Sequence, residues 1–219
     1  MSKMRSEDYP EGYWERGEGS NYHNYGYDPH WPDVLAVIDE FAEDDWDHLI
    51  EAACSKGWFV KTATDVGWHA EGFDISAYAI ANHAPGVRSS IFEHNAADPW
   101  PWLRGEADVV CGFEFLEHVP EDEVDLVLAE MRRVLVEGGL LVLKTGIIIP
   151  ADHPFAGAAG PEDNDKTHVC IHDREWWEAK LAEHFNVQRK DVEDALDEAT
   201  KNIDWFGRWF VWSWTEEEA

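Results

Sequence analysis

Between His48 and Leu143 the chain alternates short apolar runs with amphipathic stretches, a pattern that few folds accept. His48–Ala53 reads as a strand, followed by a turn at Cys54-Ser55-Lys56-Gly57 and a helix from Trp58 to Val66 that Gly67 ends. Strands are expected at His69–Phe73, Val87–Phe92 and Ala107–Cys111, with a short helix over Ser76–Asn82. Pro120-Glu121-Asp122-Glu123 opens a helix whose apolar stripe is Val124, Leu128, Met131 and Leu135, and Gly138-Gly139 is expected to stop it. Leu140–Leu143 is unbroken apolar sequence, as in a strand covered on both faces. Beyond it, Asp173 caps a helix holding Trp176, Trp177 and Leu181, and Phe185–Arg189 and Phe206–Trp214 read as final strands. Strand–helix alternation with short connections implies a parallel sheet with helices on both faces, and a binding crevice at the carboxyl ends of its strands.

Flanking segments differ in character. Five of the six tyrosines (Tyr9, Tyr13, Tyr22, Tyr25, Tyr27) lie before residue 28, with Trp14 and Trp31 nearby. A disordered tail would be poor in aromatics. Residues 1–45 are therefore expected to form an aromatic arm and a helix, the latter over Trp31–Phe41, that cover the cleft of a domain spanning 46–219. Residues 150–172 read as an insertion rich in Pro, Gly and Asp.

Asp plus Glu number 46 against 17 Lys plus Arg, a formal charge of −29 spread along the chain. Such a surface repels itself until salt screens it, which points to a halophilic protein, and it argues against a nucleic-acid partner. Three scattered cysteines suit a reducing cytoplasm better than a disulfide framework. No run is long and apolar enough for a membrane span, and the first residues lack a signal peptide's apolar region.

Small residues at 53, 55 and 57 let the backbone turn sharply beside a helix N-terminus, and Asp74 ends the next strand seventeen residues past Gly57. Together these suit a nucleotide cofactor whose ribose hydroxyls meet an acid. The blocks IEAACSKGWFVKTATDVGW, GFDIS, DVVCGFEFLEHVP and MRRVLVEGGLLVLKTG resemble the class I S-adenosylmethionine-dependent methyltransferases over residues 46–146, most closely the branch with quinone-biosynthesis and sugar O-methyltransferases. The resemblance implies a Rossmann-like α/β fold, a mostly parallel seven-stranded sheet with an antiparallel C-terminal strand, and S-adenosyl-L-methionine as cofactor. It implies Glu51 as the acid of the first motif, and Ala53, Cys54, Ser55 and Gly57 as the loop around the methionine moiety. Asp74 would hold the ribose, Ile75 would pack on adenine, and Asn95 and Ala96 would lie near the adenine amino group. Cys111 and Gly112 would lie beneath the sulfonium, with Phe113 and Glu114 at the mouth. Ala53 and Ser55 replace family glycines, Asn95 an aspartate, and Glu137 a proline.

The expected reaction is methyl transfer to a small-molecule or sugar-like acceptor at oxygen, which needs a base. Candidates are His118, Glu117, Glu114, His153 and His168, with the histidines preferred because imidazole titrates near neutral pH. If extended, His168, Cys170 and His172 would share one face, a trio with the makings of a zinc site; its spacing matches no strong metal motif, so no metal is assigned. The alternative to an enzyme is a non-catalytic protein of this fold acting as an interaction or regulatory partner.

Overall fold

The computed structural model describes residues 5–148, 165–201 and 207–216. Seven strands form one sheet: β1 (His48–Ala52), β2 (His69–Asp74), β3 (Ile91–Glu93), β4 (Ala107–Phe113), β5 (Leu135–Gly146), β6 (Val187–Gln188) and β7 (Gly207–Ser213). Their order is β3-β2-β1-β4-β5-β7-β6. β7 runs antiparallel to both β5 and β6, while the pairings from β3 across to β5 are all parallel.

Strand pleating sorts the core into two layers. Leu140 and Val142 face a layer that includes α2 (Trp31–Phe41), α3 (Trp58–Val66) and α7 (Lys190–Ala199). Leu141 and Leu143 face the opposite layer, with α5 (Val124–Val134) and α6 (Arg174–Ala182). Both sides of that run are thereby excluded from water, which accounts for its lack of polar residues. On α5, Val124, Val127, Leu128, Met131 and Val134 form the fully buried stripe.

Three elements differ from the sequence reading. The helix ends at Val134, not at Gly138-Gly139, and those glycines belong to β5. A Cβ on Gly139 would stand 2.7 Å from Asp108 O, so close approach to β4 explains this glycine. β3 starts at Ile91, because Val87–Ser90 form a turn closed by Ser90 N–H donating to Val87 O. Helix α7 has no counterpart in the sequence reading: Val192 and Leu196 are its buried apolar residues, too narrow a stripe to stand out among its acids.

The N-terminal aromatic arm has regular structure of its own. It contains a 3-10 turn (Ser6–Asp8) and the helix α1 (Glu11–Arg16). Tyr9, Tyr13 and Trp14 are buried against α4 (Ala77–Ala81), a contact made through Ala79.

Candidate functional site

Strand order reverses between β1 and β4, where helices leave the sheet toward opposite faces. A crevice opens there beyond the carboxyl ends of the strands. The turn after β1 places Ala53 at φ 55°, Ser55 at φ 52° and Gly57 at φ 74°. The glycine-type backbone is thus retained although two positions carry a Cβ, at about 1 kcal/mol of strain each. Glu114, after β4, has φ 47°. Three of the chain's non-glycine residues in this left-handed region therefore border one crevice.

Asp74 organises the floor. Its Oδ2 accepts from Ser55 N–H at 2.8 Å and its Oδ1 from Ser76 N–H at 2.7 Å. Each oxygen keeps one lone pair for a further donor. Burial raises this carboxyl to about 6, against the pull of the two amides. Gly72 lets the turn sit on β2: a Cβ there would lie 2.8 Å from Cys54 Cβ and 2.9 Å from Glu51 O. Glu51 is buried, its Oε2 meets no hydrogen-bond partner among the described residues, and burial pushes its carboxyl well up.

Aromatic residues of the arm form the roof. Tyr9, Tyr13, Trp14, Tyr22 and Tyr25 line the crevice opposite Ala53, Ser55, Asp74, Ile75, Asn95, Ala96, Phe113 and Glu114. Trp14 Nε1–H donates to Ser76 Oγ at 3.1 Å, and Lys56 Nζ donates to Glu15 Oε1 at 2.5 Å and Tyr25 O at 3.0 Å. These contacts tie the arm to the start of α4 and to the β1 turn and leave a cavity of about 90 Å³.

The far wall carries His118, at the end of a 3-10 turn (Leu116–His118). Its Nδ1 lies 2.8 Å from Thr167 Oγ1. The Thr167 hydroxyl donates its single proton to Asp165 Oδ1 at 2.5 Å. It can therefore only accept from His118, which makes Nδ1 the protonated nitrogen and Nε2 the basic one. Tyr13 OH donates to Asp165 Oδ2 at 2.8 Å, joining roof to wall. His168 packs edge-on to His118, ring centroids 4.6 Å apart.

The other expected site residues sit below this surface. Cys54, Gly57, Cys111 and Gly112 do not line the crevice. Cys54 and Cys111 are buried on the α2–α3 side of the sheet, where the Cys111 thiol donates to Ile50 O at 3.5 Å. Glu117 is fully buried and its Oε2 accepts from Thr145 Oγ1 at 2.7 Å; burial and the facing Glu114 carboxylate push its carboxyl well up. Lys144 Nζ stands 3.5 Å from Glu114 Oε1. Cys170 is in the core and His172 stacks on Trp176 at 3.8 Å, so His168, Cys170 and His172 do not converge. His153 lies outside the described residues.

His94, Asp165 and Thr167 are absent from the sequence reading. His94 lines the crevice, and its buried Nε2 has no partner among the described residues. Its adjacency to Asn95 at the end of β3 was the available signal. Asp165 and Thr167 had none, since only folding brings them to His118.

Residues 50–143 match the family model described as a methyltransferase domain. The chain carries a methyltransferase domain. The comparison with curated proteins gives no match. Among solved structures, the domain is similar to a geranyl diphosphate C-methyltransferase from Streptomyces coelicolor A3(2), in complex with Mg2+, geranyl diphosphate and S-adenosyl-L-homocysteine (18% identity, 83% of this chain and 76% of that one, TM-score 0.62). It is also similar to a phosphoethanolamine N-methyltransferase from Haemonchus contortus (14%, 89% and 55%, TM-score 0.63) and to the [4+2]-cyclase SpnF (13%, 90% and 86%, TM-score 0.60). At these identities the likeness is one of fold: the methyltransferase domain has the class I architecture.

Proposed function

We propose that this methyltransferase takes a methyl group from S-adenosylmethionine and delivers it to an oxygen of a small-molecule acceptor, with His118 as base. The observation that carries the reading is the Asp165–Thr167–His118 chain, which orients an imidazole at the crevice wall with Nε2 as its basic nitrogen. The residues present suit the cofactor. Asp74 offers two open lone pairs to vicinal ribose hydroxyls, Ile75 and Ala96 offer apolar surface to adenine, and His94 Nε2 is a buried polar atom without a partner there. Glu51 places a buried carboxyl beside the β1 turn, where an ammonium group would satisfy it.

When bound, the cofactor would supply an electrophilic methyl. The chain's contribution is alignment, exclusion of water and removal of the acceptor's proton. Nε2 of His118 takes the hydroxyl proton, and Asp165 through Thr167 holds the tautomer. Glu117, buried in the core and off the crevice lining, is less suited to that step.

The 90 Å³ cavity is smaller than the roughly 300 Å³ at the low end for ligand sites, so the arm must swing away to admit a cofactor and then cover it. Parting of Lys56 from Glu15 and Tyr25 O would release it. The same small, covered cavity favours a second reading, a non-catalytic protein of this fold. Calorimetry with S-adenosylmethionine and S-adenosylhomocysteine separates the two: binding of either supports the enzyme, and binding of neither removes it.

The setting we propose is a salt-rich, reducing cytoplasm, supported by the charge of −29 and by three free, buried cysteines. Circular dichroism against KCl tests it; full structure without salt would refute the halophilic part.

A further inference from the structure

The amino edge of the sheet, opposite the crevice, carries a second cluster with defined chemistry. His48 and His69 are the first residues of β1 and β2 and are direct partners in the parallel register. Their rings stack with centroids 4.5 Å apart. Glu71, two residues along β2 and hence on the same face as His69, places Oε2 3.2 Å from His48 Nε2 and 4.0 Å from His69 Nε2.

His48 is buried, and its Nδ1 lies 2.9 Å from the carbonyl oxygen of Glu106. A carbonyl can only accept, so Nδ1 carries the proton and the Nε2 lone pair points at the Glu71 carboxylate. Two acceptors facing each other at 3.2 Å need a proton or a metal ion between them. Glu71 Oε2 is itself steadied by Trp102 Nε1–H at 2.7 Å. An imidazole donating its far N–H to a backbone carbonyl, beside an oriented carboxylate, is how proteins hold metal ligands in place.

We propose that His48 Nε2, His69 Nε2 and Glu71 bind a divalent transition ion of the Zn²⁺ class, with its fourth position open to water. Bonds near 2.0–2.1 Å put tetrahedral ligand atoms about 3.3 Å apart, close to the His48–Glu71 spacing. His69, with a side chain 65% exposed, turns its ring out of the stack to complete the set. Asp47, Glu106 and Asp108 surround the edge and add negative potential; Asp108 Oδ2 accepts from the amides of Asp47 and His48. The ion would clip β1 to β2 on the side of the sheet away from the crevice, roughly 15 Å off along β1.

Two other His/carboxylate groups among the described residues suit an ion less well. In Asp125–Glu183–His184 the Lys180 ammonium already sits 3.1 Å from both Asp125 and Glu183. In Glu117–His118–His168 the carboxyl is fully buried, with Oε2 already accepting from Thr145 Oγ1, and His118 Nδ1 is engaged by Thr167.

Calorimetric titration of Zn²⁺ into the metal-free full chain, repeated with Co²⁺ under absorption spectroscopy, tests the site. One equivalent is expected, with tetrahedral Co²⁺ bands and a melting temperature that rises with Zn²⁺. His69→Ala, at an exposed position that leaves folding intact, and Glu71→Gln should each weaken binding at least about tenfold and abolish the thermal shift. His184→Ala should change neither. No binding by the wild-type chain, or binding that survives both His69→Ala and Glu71→Gln, would overturn the proposal.

Discussion

The two walls of the crevice are assembled at very different sequence distances. On the β1–β2 wall, Ser55 reaches Asp74 across 19 residues, within one strand–helix–strand unit. On the opposite wall, His118 reaches Thr167 across 49 residues and Tyr13 reaches Asp165 across 152. The first wall is a property of local pattern, set by a turn and the register of adjacent strands. The second exists only when the arm, the turn after β4 and the segment after β5 arrive together. Under the proposed function, a site built this way would separate a generic cofactor grip from an acceptor side free to vary.

Perturbing each wall alone should show whether the division is real. The largest effect is expected for His118→Gln, which should lower kcat by about 10²–10⁴ while leaving cofactor affinity within about twofold. A matching loss of affinity, measured by calorimetry, would mean the walls are not separate.

Asp74→Ala should do the reverse and weaken cofactor binding about 100-fold, the worth of two charge-assisted hydrogen bonds of about 1.5 kcal/mol each. Its pH signature is specific. Ribose hydroxyls bind the carboxylate, so affinity should be full above pH 6 and fall as pH drops through about 6. Stability of the cofactor-free chain should move oppositely at this group. Its folded-state pKa is raised, so the folded form holds the proton that the unfolded form has lost between about 3.8 and 6, and stability declines as pH rises through that window. Wild-type and Asp74→Asn chains compared in urea across that range would check the sign.

Smaller effects probe how the first wall is built. Gly72→Ala should destabilise by about 1–3 kcal/mol in urea denaturation, because its Cβ would overlap Cys54 and the Glu51 carbonyl. Ala53→Gly should be the mildest, stabilising by at most about 1 kcal/mol through relief of positive φ. Destabilisation by Ala53→Gly would show that the methyl group packs usefully, not at a cost.

Legibility followed the same division. Asp74 was located by strand end and spacing, and Ile75, Asn95 and Ala96 by the resemblance to methyltransferases; all four line the crevice. The Gly138-Gly139 pair misled, since a glycine demanded by a close backbone approach looks in sequence like a helix stop. Helix α7 was hidden because its acidic surface outweighs the two residues it buries deepest in the core. Glu117 sits beside His118 in the chain yet points into the core, a difference of side-chain direction that a motif does not encode.

By itself, then, the sequence determined the alternating sheet, the turn after β1 and the acid at the end of β2, because those depend on periodicity and near neighbours. Only the tertiary structure decided that Asp165 and Thr167 choose the His118 tautomer. It alone decided, too, that His48, His69 and Glu71 share one edge. Hydrogen-bond direction and desolvation arise where distant segments meet, and no local stretch of chain carries them.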